Sequence, residues 1–327
     1  MTSDDTLLRT EDLTKHFPAG KDRVLRAVDG VSLQVARGET VGLVGESGCG
    51  KSTLGRLICR LEEPTRGRIW LDGIDLLALP PADLRRLRPR MQMIFQDPFA
   101  SLNPHKTVEQ TVALPLRIRG VRGASEIRGR VNELLEHVGL DPSQASRFPH
   151  QFSGGQRQRI GIARALACEP DLIIADEPVA SLDVSIQAQI LDILRGLQDR
   201  FNLTAVFISH DISVVSHVSH RIAVMYLGKI VELGPAQTVI HSPAHPYTKA
   251  LLSAVPRVAE SQPSPTLLTG DIPSPIAVPP GCAFHTRCYL DQVPACRTEH
   301  PNLTPVAPDH LVACHLAQPL PDPPQAP

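Results

Sequence analysis

One stretch of the chain has the residue types and the spacing that bind phosphate. Residues 45–52 read Gly-Glu-Ser-Gly-Cys-Gly-Lys-Ser and fit the pattern G-x-x-x-x-G-K-[ST] between the apolar run 40–44 and a helix-compatible segment, 52–61. Glycines let backbone N–H groups turn toward a polyphosphate, and the N-terminus of a helix adds partial positive charge. The residues predicted to bind a nucleoside triphosphate here are Gly45, Glu46, Ser47, Gly48, Cys49, Gly50, Lys51, Ser52 and Thr53.

A pair of carboxylates supplies the chemistry that a phosphate loop alone lacks. Asp176 and Glu177 follow the apolar run 172–175. Asp176 is placed to hold Mg²⁺ together with Ser52, while Lys51 would reach the β- and γ-phosphates. Glu177 can reach a water in line with the γ-phosphate and act as its base. In isolation the pair could equally end in a solvated turn, but next to a phosphate loop it predicts Mg²⁺-dependent hydrolysis.

A second glycine-containing segment predicts another anion site in the same chain. Phe152, Ser153, Gly154, Gly155 and Gln156 stand at the start of an expected helix that runs through residues 162–166. Such an N-terminus attracts phosphate. One nucleotide does not need two such sites in a monomer, so we predict that two copies face each other head-to-tail and share their sites.

Apolar periodicity indicates which elements position these groups. The continuous apolar runs 40–44, 172–175 and 204–208 predict strands buried on both faces, joined by a crossover helix over 184–201. Between about 97 and 165 the pattern is helical instead, as expected for an insertion into an α/β core. The run 222–233 predicts a hairpin that closes this core.

Composition limits the classes of partner and divides the chain in two. With 33 basic and 34 acidic residues among 327, the net charge of −1 gives no basic field for nucleic acid, so no nucleic-acid partner is expected. The acidic start 1–5 lacks the apolar core of a secretory signal, and no run is long enough to span a membrane. Of the 31 prolines, 18 follow residue 240.

Four of the seven cysteines lie in this proline-rich tail, at Cys282, Cys288, Cys296 and Cys314. In a reducing compartment such a group more often binds metal than forms disulfides. Structural zinc sites pair cysteines two to four residues apart, which this spacing does not do. Four unevenly spaced thiolates suit a [4Fe–4S] cluster. Zinc and free thiols stay open as alternatives.

These motifs together resemble the ATP-binding cassette (ABC) ATPases, whose signature Leu-Ser-Gly-Gly-Gln has Phe152 at its first position here. The resemblance assigns roles to four further residues. Gln96 would sense the γ-phosphate and join the Mg²⁺ shell, Asp183 belongs to the D-loop, His210 is the switch histidine, and Phe17 stacks on adenine. The fold implied is a P-loop NTPase cassette, in which a RecA-like α/β core carries an antiparallel β subdomain and a helical subdomain.

A closer resemblance is to the ATPase subunits of dipeptide and oligopeptide importers. The stretches 95–98, 101–104, 225–229 and 245–252 carry it, and residues 61–65 favour the second, F-type, of the two paired subunits. The match runs from about residue 7 to 316. It implies an ATPase domain over 7–240 with its helical subdomain over 97–165, a C-terminal extension over 241–316, and loose ends at 1–6 and 317–327.

The resemblance also implies partners and a location. The chain would pair with a second, homologous ATPase subunit on the cytoplasmic face of the membrane. Two permease subunits and an extracytoplasmic binding protein would complete the importer, and some family members hold a [4Fe–4S] cluster in the extension. The cofactors expected are ATP and Mg²⁺. The alternatives are an importer of nickel or another small solute, and a soluble ABC ATPase of DNA repair or translation.

Overall fold

The computed structural model describes residues 5–20, 23–254, 268 and 270–318. Residues 1–4 and 319–327, which belong to the expected loose ends, lie outside the described residues. Within the described part, no helix is both long and apolar enough to cross a membrane.

The strands and helices follow one another in the order of an α/β chain with a helical middle. The strands are β1 (Thr6–Pro18), β2 (Val24–Ala36), β3 (Thr40–Val44), β4 (Arg66–Leu71), β5 (Ile74–Asp75), β6 (Met91–Ile94), β7 (Leu172–Asp176), β8 (Thr204–Ser209), β9 (Arg221–Tyr226), β10 (Lys229–Pro235), β11 (Thr304–Ala307) and β12 (His310–Val312). The helices are α1 (Lys51–Ile58), α2 (Pro81–Leu87), α3 (Pro98–Ser101), α4 (Val108–Ile118), α5 (Ala124–His137), α6 (Gly154–Leu166), α7 (Val184–Phe201), α8 (Ile212–Val218), α9 (Ala236–His241), α10 (Pro246–Ser253) and α11 (Ala295–Thr298).

The core is an eight-stranded sheet in the order β11-β12-β10-β9-β3-β8-β7-β6. The pairs from β9 through β3, β8 and β7 to β6 are all parallel. Every residue of β3 and β7 is buried, which explains their unbroken apolar character, since a parallel sheet is covered on both faces. The carboxyl ends of these strands meet at one edge, where the phosphate loop and the Asp176–Glu177 pair follow β3 and end β7.

A smaller, antiparallel sheet lies beside the core in the order β2-β1-β4-β5. Strands β1, β2 and β4 share a second hydrophobic cluster with β3 and α1. This sheet is the antiparallel β subdomain that the resemblance implies. The predicted fold class is therefore confirmed for the α/β core and its antiparallel companion.

The described elements of the middle of the chain are helical, as the periodicity predicts. Residues 97–165 contain α3, α4, α5 and α6, and the apolar side of α5 is buried at Ile127, Val131 and Leu134. Helix α4 begins in a capping box, in which Thr107 and Gln110 satisfy each other's backbone N–H groups. Helices α3, α4 and α5 all contact α6, which carries the second glycine segment at its N-terminus.

The tail adds two strands to the core sheet. Strand β12 pairs antiparallel with β10, and β11 pairs with β12. A fully buried hydrogen bond lies at this junction, where His310 Nε2 stands 2.8 Å from Glu232 Oε1 and both side chains are 0% exposed. Burial raises the pKa of Glu232, but hydrogen bonds from His310 and from the N–H groups of Ala244 and His245 outweigh it and leave that pKa below its usual range.

We predict a loss of stability in mild acid because of His245, which lies at the same junction. Burial lowers the pKa of His245 to about 4 from 6.5, with the Lys249 charge acting in the same sense and the Glu232 charge opposing it. Between pH 4 and pH 6.5, His245 is protonated in the unfolded chain but not in the folded chain. The free energy of unfolding therefore keeps its full His245 contribution above pH 6.5 and falls by about 3 kcal/mol toward pH 4.

Thermal unfolding midpoints measured across this range check the prediction. His245→Asn is the matched control, because His245 Nδ1 caps α10 by accepting from the Tyr247 N–H, and asparagine is also a good cap. We expect the wild-type midpoint to fall more steeply with acid than that of the variant. Parallel curves would contradict the assignment to His245.

Candidate nucleotide site

The phosphate loop packs so tightly on its surroundings that glycine is required in it. Gly50 has a φ of 107°, and a Cβ there would lie 1.9 Å from the Ala27 carbonyl oxygen. A Cβ on Gly45 would lie 2.2 Å from the Met225 carbonyl oxygen. The loop backbone therefore rests directly on the backbone of β2 and β9, and any larger residue would push it out of place.

Lys51 begins α1 and is 4% exposed. Its ammonium group donates to the carbonyl oxygens of Gly45 at 2.7 Å and of Glu46 at 3.0 Å. The lysine charge is thereby held inside the loop. Cys49 is a further buried residue of the loop, and burial raises the pKa of its thiol, which favours a small packed side chain over a reactive thiolate.

The residues predicted to bind Mg²⁺ lie side by side. Ser52 Oγ donates to Asp176 Oδ1 at 2.7 Å, although 124 positions separate them in the chain. Asp176 is 3% exposed, and burial raises the pKa of its carboxyl group above the usual value despite the Ser52 hydrogen bond. Hard oxygen ligands suit Mg²⁺, and a cation would relieve the cost of this buried charge. The donor set therefore fits the metal.

Three polar side chains converge from three neighbouring strand ends. Gln96 follows β6 and donates from Nε2 to Glu177 Oε2 at 3.0 Å. His210 follows β8, and its Nδ1 lies 3.4 Å from the same oxygen. Glu177 itself has a φ of 46°, a rare value for a residue with a side chain and one that recurs at functional sites. The arrangement can orient a water and take its proton, and a ligand that binds beside Gln96 or His210 would change the contacts of the Glu177 carboxylate.

The second glycine segment belongs to the helical part of the chain. Ser153 caps α6, where its Oγ accepts from the Gln156 N–H and its own N–H donates to the Gln156 side chain. A Cβ on Gly155 would lie 2.4 Å from Ile186 Cγ2, so this glycine allows α6 to approach α7. Within the described residues, no hydrogen bond or ion pair joins 153–156 to the phosphate loop.

In the part of the chain that the structure describes, no hydrogen bond or ion pair joins Phe17 or Asp183, two other predicted residues, to the hydrolytic group. Phe17 is half-buried in β1, and the Lys15 ammonium group lies 4.8 Å from the centre of its ring. Asp183 precedes α7 in an extended conformation, and its side chain does not cap that helix. Stacking of Phe17 on adenine and a contact of Asp183 across a dimer stay predictions.

Two residues of the tail contact the phosphate loop, and the sequence motifs did not indicate them. The Glu46 N–H donates to the Tyr247 hydroxyl at 2.8 Å. Arg287 donates to both carboxylate oxygens of Glu46, at 2.7 Å and 3.0 Å. Each partner is more than 200 positions away from Glu46, so no local pattern could reveal the contact.

The four tail cysteines are free thiols, of which Cys296 is buried and the other three are half-buried. Burial raises the pKa of Cys282 to about 11, and the other three thiols add to the shift. However, the described residues contain no group of three or more His, Cys, Asp or Glu side chains that could hold a metal ion. A [4Fe–4S] cluster therefore stays a prediction that no metal site among the described residues supports.

Comparison with known proteins decides which family this geometry belongs to. Residues 28–180 match the ABC transporter family, and residues 231–296 match the C-terminal region of oligopeptide/dipeptide transporters. The oligopeptide transport ATP-binding protein AppF of Bacillus subtilis is 50% identical over 322 residues, which cover 95% of this chain and 98% of AppF. The chain belongs to the ABC transporter family.

Other relatives place this ABC protein in the same group. The probable peptide ABC transporter ATP-binding protein y4tS of Sinorhizobium fredii is 50% identical over 322 residues, 96% of this chain and 91% of its own. The structure resembles the dimeric ATP-binding cassette MJ0796 bound to ADP and phosphate, with a TM-score of 0.65 and 33% identity over 70% of this chain and 99% of that one. The ABC protein described here is accordingly an ATPase of the cassette type, and the resemblance found in its sequence is confirmed.

Proposed function

We propose that this ABC protein hydrolyses ATP to drive the import of dipeptides and oligopeptides. The observation that carries the proposal is the match of residues 231–296 to the C-terminal region of peptide transporters, in a chain that also has a complete hydrolytic group. The protein would act as a peripheral subunit on the cytoplasmic face of the membrane.

The contacts of the loop support separate roles for its residues in binding phosphate, binding Mg²⁺ and activating water. Lys51 would leave the loop carbonyls to bind the β- and γ-phosphates, while Ser52 and Asp176 hold Mg²⁺. The metal, when bound, neutralises charge on the phosphates. Glu177 would take a proton at Oε2 from the attacking water, and Gln96 and His210 would hold that carboxylate in line with the γ-phosphate.

The capped N-terminus of α6 supports a second cassette as partner. Its N–H groups and glycines form an anion site that is built from the helical part of the chain, away from the loop that Lys51 serves. A head-to-tail pair of ATPase subunits would place each α6 N-terminus on the γ-phosphate held by the other. A heterodimer with a homologous subunit is the arrangement we propose.

A cavity beside Gln96 supports the docking of a permease. Its volume is about 640 Å³, and it lies between the core and the helical part of the chain. Exposed apolar side chains of Leu61 and Phe95 and three arginines line it, the latter being Arg56, Arg88 and Arg164. This lining suits a short amphipathic helix with an acidic residue. Movement of that helix would reach Glu177 through Gln96.

Filling this cavity should block transport while ATP still binds. Ala100 is an exposed lining residue of α3, so Ala100→Arg adds bulk and charge without removing a packed side chain. We expect peptide uptake to fall at least tenfold, because one blocked interface anchor costs about 2 kcal/mol or more, while ATP binding is unchanged. Ala124→Arg, on the exposed first turn of α5, is the matched control. Normal uptake by the Ala100 variant would contradict docking at this cavity.

Uptake by cells tests the substrate class. A strain that lacks this chain should lose uptake of labelled dipeptides and longer peptides, and the wild-type gene but not Lys51→Ala should restore it. Nickel uptake measured in the same strains separates the alternative. Loss of nickel uptake with peptide uptake intact would overturn the peptide proposal, and an extracytoplasmic binding protein of matching specificity would support it.

A [4Fe–4S] cluster in the extension stays a prediction that the geometry does not support. Iron and acid-labile sulfide analysis of anaerobically purified protein tests it. Equal, stoichiometric amounts that disappear in Cys288→Ser would establish the cluster. Their absence would contradict the cluster and leave zinc and free thiols as the alternatives, and no step of the proposed hydrolysis depends on the outcome.

A further inference from the structure

Glu46, the second residue of the phosphate loop, is held on three sides. Lys51 Nζ donates to the Glu46 carbonyl oxygen, and the Tyr247 hydroxyl accepts from the Glu46 N–H. Arg287 donates to both oxygens of the Glu46 carboxylate. The first contact is within the loop and would be released when Lys51 turns to a phosphate. The other two come from the C-terminal extension, through the Glu46 N–H and its side chain. With nucleotide bound, the extension alone would hold Glu46.

The ion pair between Arg287 and Glu46 matters because Glu46 is negatively charged and lies in the loop that binds phosphate. An unpaired carboxylate in the loop would repel the polyphosphate that the loop N–H groups attract. Arg287 cancels that charge with a two-pronged ion pair, and its own side chain is only 7% exposed. Loss of the guanidinium would leave the Glu46 carboxylate, whose side chain is 23% exposed, without its counter-charge beside the phosphate site.

The extension fixes where the guanidinium stands. Arg287 ends a short 3₁₀ turn, and its N–H donates to the Phe284 carbonyl oxygen at 3.0 Å. Phe284 is 1% exposed and packs edge-on against Tyr226 of β9, with ring centres 5.3 Å apart and an interplanar angle of 89°. Tyr247 packs against both rings. The two groups that hold Glu46 therefore share one aromatic cluster.

The geometry points to Arg287 as a positioning residue for ATP, which acts through Glu46 to keep the phosphate loop in its binding shape and free of net negative charge. This inference rests on the proposed nucleotide site. Because coupling between two binding events is reciprocal, ATP in the loop also tightens the docking of the extension on the core. The extension would thus set the affinity of the cassette for nucleotide.

Equilibrium binding of Mg²⁺–ATP to the full chain, with KM and kcat of hydrolysis and the thermal midpoint, tests the inference. We expect Arg287→Gln to raise the Kd and the KM about tenfold, the effect of one lost charged hydrogen bond, with kcat within about twofold. Arg287→Lys keeps the positive charge but not the paired hydrogen bonds of the guanidinium. Its Kd and KM should therefore lie between those of the wild type and those of Arg287→Gln. Adding Glu46→Gln to Arg287→Gln should restore much of the affinity, because no unpaired carboxylate is then left.

Two references keep the result interpretable. Arg297→Gln, an exposed arginine of the same extension, should change neither Kd nor KM. Lys51→Ala should abolish ATP binding, and if it does not, the proposed nucleotide site fails rather than the role of Arg287. If Lys51→Ala loses ATP while Arg287→Gln and Arg287→Lys only lower the thermal midpoint and leave Kd unchanged, Arg287 is structural and the inference is overturned.

Discussion

Glu177→Gln is expected to lower ATP hydrolysis by about 10²–10⁴-fold while ATP still binds, the range that a lost general base removes. Glutamine keeps the shape and can still meet Gln96 and His210, which lie 3.0 Å and 3.4 Å from Glu177 Oε2, but it cannot take a proton from water. Because Lys51, Ser52 and Asp176 are untouched, the nucleotide should stay bound.

The measurement is steady-state hydrolysis together with the retained nucleotide and the dimer fraction in gel filtration. Glu136→Gln, an exposed carboxylate of α5, is the matched control and should behave as wild type. The variant of Glu177 should accumulate ATP-bound pairs of cassettes. Near-normal hydrolysis would refute Glu177 as the base.

Ser153→Asp is expected to lower hydrolysis by about 10²–10³-fold, the cost of losing one preorganised group at a developing charge. Aspartate caps a helix as well as serine does, so the N-terminus of α6 should keep its structure. The added negative charge would instead face the γ-phosphate of the partner cassette. ATP binding to the isolated chain should be unchanged, because the chain's own loop lies elsewhere.

The chain offers an internal control for this substitution. Thr107 caps α4 with the same capping box, formed with Gln110. Thr107→Asp also replaces a capping hydroxyl by a carboxylate, at a helix that no nucleotide should meet, and it should leave hydrolysis at the wild-type rate. Equal losses in both variants would mean that the caps matter for folding, and would contradict a shared site between cassettes.

The hydrolytic group could be predicted from the sequence because each part is local. Asp176 and Glu177 end a run of apolar residues, and the loop lies between a strand and a helix, so parallel pairing brings them together at one sheet edge. Helix limits were less accurate. The pattern after the loop predicts a helix over 52–61, but α1 ends at Ile58, and Arg60 then takes a left-handed φ of 47°.

The attachment of the extension could not be predicted, because its contacts are short and distant in sequence. Strand β12 has three residues and finds its partner β10 across the buried pair of Glu232 and His310. The ion pair of Arg287 with Glu46 joins residues that are 241 positions apart in the chain. A strand of that length carries no periodicity, and an arginine without a motif reads as a surface residue, so three-dimensional packing alone reveals both.

Peptide transport in a reconstituted system tests the central claim most directly. The chain, its partner ATPase subunit and the two permeases would be placed in liposomes with the binding protein, and accumulation of a labelled peptide would be followed with and without ATP. We predict accumulation that requires ATP hydrolysis and stops when Glu177→Gln replaces the wild-type chain. Accumulation that continues with this variant, or ATP hydrolysis that never moves peptide, would contradict the account.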